Sequence, residues 1–118
     1  MKHIALLFTI ALLTLSSTVL AQSAADKIVG TWDAGEGKVE IQKVDGRYIG
    51  YPIKSDGTKV TARELLNVVY QEGQWKGKIY SKKKAEYFDV VCELEGEKLL
   101  LEVSAGWLSK DLEWTRVN

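Results

Sequence analysis

From Ile28 onward the sequence consists of short runs in which apolar and polar residues alternate, separated by turns that contain glycine. Alternation with a period of two puts every second side chain on the same face of a strand, as residues 88–94 illustrate. The dipeptide Asp45-Gly46 is a strong hairpin signal, because glycine accepts the positive φ that tight hairpin turns require. Short strands at this spacing are typical of an all-β sandwich or barrel.

Eight such strands follow one another in the sequence. This predicts an all-β fold, an eight-stranded antiparallel up-and-down barrel that pairs its first and last strands and so removes its open edges. Thr61-Ala62-Arg63-Glu64 interrupts the strand pattern and has the form of a helix capping box. We therefore expect one short helix between strands 3 and 4, serving as a lid or as a plug. A barrel of this size is either filled by side chains or holds one small ligand, and the alternation is compatible with both.

Residues 1–21 have the composition of a secretory signal peptide. A short basic start precedes an apolar run up to Leu15, and small residues occupy the positions before a cleavage point after Ala21. The apolar run is too short for a good membrane span. We expect a single domain over residues 22–118, a periplasmic or secreted location, and no membrane span once the signal is removed.

The chain contains one histidine, His3, and one cysteine, Cys92. Because His3 lies in the predicted signal peptide, the predicted domain lacks the imidazole that a Ser-His-Asp triad, a Cys-His pair or histidine zinc ligation requires. A lone cysteine also excludes an intramolecular disulfide and a multi-cysteine metal site. We expect a protein that is not an enzyme, with no catalytic residues, no cofactor and no metal.

Basic and acidic residues balance, at 16 of each, and they are interspersed along the chain. This pattern gives no electrostatic footprint for nucleic acid, so we expect no nucleic-acid partner. We also expect a monomer. The run Lys82-Lys83-Lys84 is interpreted as a solvated turn in preference to a docking patch.

Two segments share a spacing in which an aromatic residue follows a turn glycine by two positions, Tyr48 in one and Trp75 in the other. In each segment another glycine follows two positions later, at Gly50 or Gly77. The structural interpretation is that these glycines allow bends or close approach within the barrel. The functional interpretation is that Tyr48 and Trp75 flank a shallow ligand-binding surface. Trp107, which follows a glycine in a predicted loop over residues 105–110, is the third candidate for ligand contact.

Gly30-Thr31-Trp32 begins the predicted barrel and Trp114-Thr115-Arg116 ends it. The spacing puts Gly30 and Trp32 on one face of the first strand, and Trp114 and Arg116 on one face of the last. We interpret these four residues as a structural device that closes the barrel. Gly30-x-Trp32 with a late arginine resembles the structural signature of lipocalins and the wider calycin group. The resemblance implies that Arg116 packs across Trp32 at the closed end.

A longer resemblance covers nearly the whole predicted domain. The chain resembles a family of secreted bacterial proteins known as domain of unknown function two-one-four-seven. This resemblance implies a bacterial exported protein with a lipocalin-like barrel, and it implies no catalytic residues. The segment between Lys54 and Val60 is shorter than in many relatives, so a ligand site that this loop shaped in them would be reduced here. The matching segments are Ile28-Val29-Gly30-Thr31-Trp32, Tyr48-Ile49-Gly50, Glu64-Leu65-Leu66, Gly73-Gln74-Trp75-Lys76-Gly77-Lys78-Ile79-Tyr80, Leu94-Glu95-Gly96 and Trp114-Thr115-Arg116.

The function that these observations favour is non-enzymatic binding of a small apolar or amphipathic molecule, in the barrel or at its mouth. The alternative is a protein or glycan interaction module that uses exposed aromatic residues on the outer surface, with Tyr51, Tyr80 and Trp107 as candidates. An exposed aromatic patch over a solid core would favour the alternative.

Overall fold

Eight antiparallel strands follow one another in sequence order and close into a barrel in the computed structural model, which describes residues 23–117. The predicted eight-stranded up-and-down barrel is confirmed. The predicted signal peptide, residues 1–21, lies outside the described residues. The strands are β1 (Gly30–Asp33), β2 (Lys38–Val44), β3 (Arg47–Ile53), β4 (Leu66–Gln71), β5 (Gln74–Ser81), β6 (Glu86–Glu95), β7 (Lys98–Ala105) and β8 (Leu108–Arg116).

The hairpin turns have the backbone conformations that their residues predict. Asp45 and Gly46 between β2 and β3 both have positive φ, at 50° and 80°. Two consecutive positive φ values match the right-handed twist of the flanking strands. The predicted loop over residues 105–110 is wrong, because β8 begins at Leu108 and pairs at once with Ala105. Trp107 therefore lies at the tip of a tight hairpin.

The short helix predicted at Thr61–Glu64 is not formed, and the connection from β3 to β4 is an extended loop. The backbone of Leu65 is already engaged by both neighbouring strands. Its N–H donates to the carbonyl of Gly50, and its carbonyl accepts from the N–H of Tyr80, each at 2.8 Å. A capping box is worth roughly 1 kcal/mol, whereas these bonds extend two ladders, so the sheet overrides the local helix signal.

Helical structure occurs instead in the N-terminal segment, residues 23–29. It is helical over residues 23–25 and continues as a 3₁₀ turn at Asp26–Ile28. Ala25 and Ile28 are buried in the core cluster, so this segment seals one end of the barrel, here called the closed end. None of the helical turns between residues 23 and 117 has the length and hydropathy needed to cross a membrane.

Inward-facing side chains fill the barrel from the closed end upward. Trp32 is fully buried, as are Leu66, Val68 and Cys92. Gly77 permits β4 and β5 to approach closely, since a Cβ at this position would lie 2.0 Å from the carbonyl oxygen of Asn67. This contact supports the structural interpretation of the strand glycines.

The seam between β1 and β8 is short. It consists of the pairs Trp32↔Arg116 and Asp33↔Thr115, after which β1 turns away. In the described chain, the part of β8 from Leu108 to Trp114 is paired with β7 alone. The end of the barrel that carries the β1–β2, β3–β4, β5–β6 and β7–β8 connections is here called the open end, and the unpaired edge of β8 leads up to it.

Candidate functional site: the open end of the barrel

Tyr48 and Trp75 lie at the closed end, where they bind the N-terminal segment. Their exposed fractions are 2% and 3%. The indole N–H of Trp75 donates to the carbonyl of Ala25 at 3.0 Å, and the hydroxyl of Tyr48 donates to Asp26 Oδ1 at 2.6 Å. In this structure the N-terminal segment covers both rings, so they do not border an open surface, and their role in ligand binding stays a prediction.

The polar contacts of Tyr48 stabilise this arrangement electrostatically. Lys43 Nζ lies 3.1 Å from Asp26 Oδ1. The hydrogen bond from Tyr48, and then that from Lys43, lower the pKa of Asp26 below its ordinary value. Burial, and then the bond to Asp26, raise the pKa of Tyr48, so the phenol remains a donor.

Of the four residues assigned to barrel closure, Trp32 and Arg116 meet at the seam. The guanidinium carbon of Arg116 lies 4.3 Å from the centre of the Trp32 ring. The same guanidinium donates to the carbonyl of Val29 at 3.1 Å and to that of Lys27 at 2.5 Å. Trp114 is buried in the same core cluster as Trp32, and Gly30 begins β1. Arg116 thus joins the first strand, the last strand and the N-terminal segment.

At the open end the core finishes in a ring of half-buried apolar side chains. Leu65, Phe88, Val103 and Leu112 pack against the buried cluster but remain partly exposed. Cross-strand pairs place Phe88 and Leu112 on the inner face, opposite Ile79 and Leu101, and Val103 lies opposite Val90. Leu65 precedes β4 and is assigned here only by its packing against the buried cluster. These residues were not singled out from the sequence. A signal that could have identified such residues is the inward-facing apolar position nearest the open end on each long strand.

Exposed apolar groups continue outward from this ring. Trp107 is 90% exposed at the tip of the β7–β8 hairpin, and Leu108 beside it is 55% exposed. An open concavity of about 580 Å³ lies against Phe88, Tyr87 and Leu108. Of the three residues predicted to bind ligand, the structure therefore brings only Trp107 to this end.

Basic groups accompany the apolar surface. Lys110 is exposed and pairs directly with Val103, so the two side chains share the inner face. Lys84 borders the concavity, whereas Lys78 is engaged with Asp89 at 2.5 Å. The concavity therefore combines apolar side chains with charged groups of both signs, since Glu86 and Asp89 line it as well.

The described side chains offer little for catalysis or metal binding. Asp89 and Glu93 are exposed, and their contacts are with Lys78 and Gln74. Between residues 23 and 117, no group of three or more histidine, cysteine or acidic residues is arranged to hold a metal. Burial raises the pKa of the Cys92 thiol to about 12, which leaves it protonated and unreactive near neutral pH.

Comparison with known proteins shows the fold. The chain is similar to HP1028 from the human pathogen Helicobacter pylori, described as belonging to the lipocalin family. The TM-score is 0.61 at 18% sequence identity, over 78% of this chain and 84% of that chain. The similarity supports a lipocalin-like barrel. No protein-family model and no curated protein matches the sequence, so membership in domain of unknown function two-one-four-seven stays a prediction.

Proposed function

We propose that this chain is an exported, non-enzymatic protein that binds a small amphipathic molecule at the open end of its barrel. The observation that carries the proposal is the ring of half-buried apolar side chains, Leu65, Phe88, Val103 and Leu112, above an interior that is already filled. A ligand would lie on this ring and would not enter the interior of the barrel.

The ring and its surroundings have the composition of a ligand site. Small-molecule sites are mostly apolar, with a few polar groups that fix orientation. Leu108 and Trp107 extend the apolar surface, and Lys110 supplies a charge on the inner face. An apolar body with an anionic group matches both features, because the body covers the ring and the anion meets the ammonium group.

Binding is proposed in preference to catalysis because Asp89 and Glu93, two acidic residues on one face of β6, do not form a site. Asp89 and Glu93 are exposed on the outer face of β6, and their contacts are with Lys78 and Gln74. Export is proposed from the sequence of residues 1–21. The intact mass of protein recovered from the periplasm or the medium tests it, with cleavage after Ala21 expected and an uncleaved chain contradicting it.

Titration calorimetry with dodecanoate and with dodecylamine tests the ligand site. We expect saturable binding of dodecanoate that is tighter than that of dodecylamine. Leu108→Ser should weaken dodecanoate binding by about tenfold, since burying a leucine side chain is worth roughly 1.5–3 kcal/mol and tenfold corresponds to about 1.4 kcal/mol. Lys110→Glu should remove the preference for the anion.

Val44→Ser is the matched control. Val44 is an exposed apolar residue at the closed end, so its replacement should leave dodecanoate binding unchanged. Absence of saturable binding would contradict the proposal, as would equal weakening by the Val44 and Leu108 substitutions in folded protein.

The second candidate function is capture of a protein or glycan by the exposed aromatic surface. It is favoured by the 90% exposure of Trp107 at a hairpin tip, because exposed tryptophan is enriched at contact surfaces. Trp107→Ala would then abolish partner capture at unchanged thermal stability. Under this alternative, Lys110→Glu and Leu108→Ser would have no effect on dodecanoate.

A further inference from the structure

The outer face of β5 to β8 carries a second open concavity, of about 580 Å³, that the proposed ligand site does not use. Val91 and Leu100 form its apolar floor, and both are half-buried. Two cross-strand rows of outward side chains line it. One row contains Lys76, Val91, Glu102 and Asp111, and the other contains Gln74, Glu93, Leu100 and Glu113.

The charges around this floor are unbalanced, since four carboxylates face one lysine. Glu113 is neutralised by Lys98 at 2.9 Å. Glu102 and Asp111, however, stand directly opposite each other in the β7–β8 ladder. Neither forms a salt bridge with any residue in the range 23–117. Like charges directly opposite destabilise a sheet, so a cation placed over this pair would relieve the repulsion.

The same sheet carries a second cluster of unneutralised charge, of opposite sign. Lys82, Lys83 and Lys84 form the β5–β6 turn at the open end, and all three are exposed. No salt bridge joins them to an acidic residue in the described part of the chain. Lysine side chains lay their methylene stems along apolar surface while the ammonium stays at a polar edge. Stems of this kind, brought by another molecule, fit an apolar floor such as that of Val91 and Leu100. Their ammonium groups then reach Glu102 and Asp111.

We infer that two copies of this chain associate through the outer faces of β5 to β8, with the lysine turn of each copy on the carboxylates of the other. An antiparallel arrangement of the two faces about a two-fold axis makes both contacts at once. It also closes the assembly at two copies, because the same patch is used on each. This inference differs from the monomer expected from the sequence.

The dimer should be weak and sensitive to salt, because most of its charged groups are exposed at the surface. Sedimentation velocity on the full protein over a concentration series tests this. We expect reversible dimerisation at low ionic strength, and about tenfold or greater weakening in strong salt.

Charge reversal identifies the surface. Glu102→Lys with Asp111→Lys makes both clusters basic, and Lys82→Glu, Lys83→Glu and Lys84→Glu makes both acidic. Each variant alone should be monomeric. An equimolar mixture should form a heterodimer, since each cluster then meets its opposite in both contacts.

The control variant, Glu36→Lys with Glu72→Lys, changes the net charge by the same amount as Glu102→Lys with Asp111→Lys, at exposed positions in the β1–β2 and β4–β5 connections outside the concavity. It should still dimerise, and circular dichroism should show that all variants are folded. The inference is overturned if the wild type stays monomeric at low salt, if the control loses association as fully as the reversal variants, or if the mixture does not associate.

Discussion

Arg116 is the residue on which the seam and the N-terminal segment both depend. Its guanidinium stacks on Trp32 at 4.3 Å and donates to the carbonyls of Val29 and Lys27. Its Nε also lies 3.4 Å from Glu97 Oε2. A planar group with several donors makes these contacts together, which a lysine ammonium cannot do.

Arg116→Ala should lower the free energy of unfolding by about 2 kcal/mol. A cation–π contact contributes about 0.5–2 kcal/mol, and hydrogen bonds from a charged donor add to it. Arg116→Lys, the conservative variant, should recover less than half of the loss. Urea denaturation measures both. Equal stability of the alanine variant and the wild type would show that the seam does not depend on this side chain.

Among the elements, the N-terminal segment is held at the closed end partly by aromatic side chains from three strands. The indole N–H of Trp32 donates to the carbonyl of Ile28, that of Trp75 donates to the carbonyl of Ala25, and the hydroxyl of Tyr48 donates to Asp26. The aromatic rings proposed from the sequence as a ligand surface are thus occupied by the protein's own backbone and by one carboxylate. Their partner, the N-terminal segment, was not foreseen from the sequence.

Low pH should weaken the interaction between the Tyr48 hydroxyl and Asp26 in this segment. The folded-state pKa of Asp26 is lowered below 3.8, so the carboxylate stabilises the fold fully above that pH, and the contribution is lost as the pH falls through the lower folded value. Tyr48→Phe should therefore destabilise the protein near neutral pH, and the difference from the wild type should shrink below pH 3.8.

Tyr70→Phe is the control for this measurement. Tyr70 also packs against Trp75, at 4.9 Å between ring centres, but it has no part in the contact with Asp26. Its difference from the wild type should not change over the same pH range in urea denaturation. A pH-independent effect of Tyr48→Phe would show that Asp26 is not the group responsible.

The strands were predictable from the sequence because alternation and turn chemistry act locally. Asp45-Gly46 specifies its hairpin through the φ values that its residues tolerate. The capping box at Thr61–Glu64 failed because the backbone of Leu65 gains partners on two strands that are remote in sequence. The open-end ring was not found for a related reason. Which inward apolar residues remain exposed depends on where β1 leaves β8, and no local pattern encodes that point.

At the scale of the whole molecule, neighbouring strands of the barrel differ in how many residues they pair. β6 pairs along most of its length with both β5 and β7. In contrast, β1 and β8 share two residue pairs, and β3 and β4 share three. Local opening requires least free energy where few ladder bonds must break. Opening of the barrel should therefore start at the β1–β8 seam, from which the unpaired edge of β8 leads up to the proposed ligand site.

Native-state hydrogen exchange should resolve this difference. Amides in the middle of β6 and β7 should exchange only with global unfolding, whereas those of β1 and of β8 near Thr115 should exchange at least about tenfold faster through local opening. Arg116→Ala should accelerate exchange at the seam more than in β6. Dodecanoate should slow exchange in β8 from Leu108 to Leu112, because a ligand that binds only the folded open end stabilises it by mass action. Uniform protection across the eight strands would show that the seam does not open separately from the rest of the barrel. Unchanged exchange rates with dodecanoate would show that opening at the seam is independent of ligand binding.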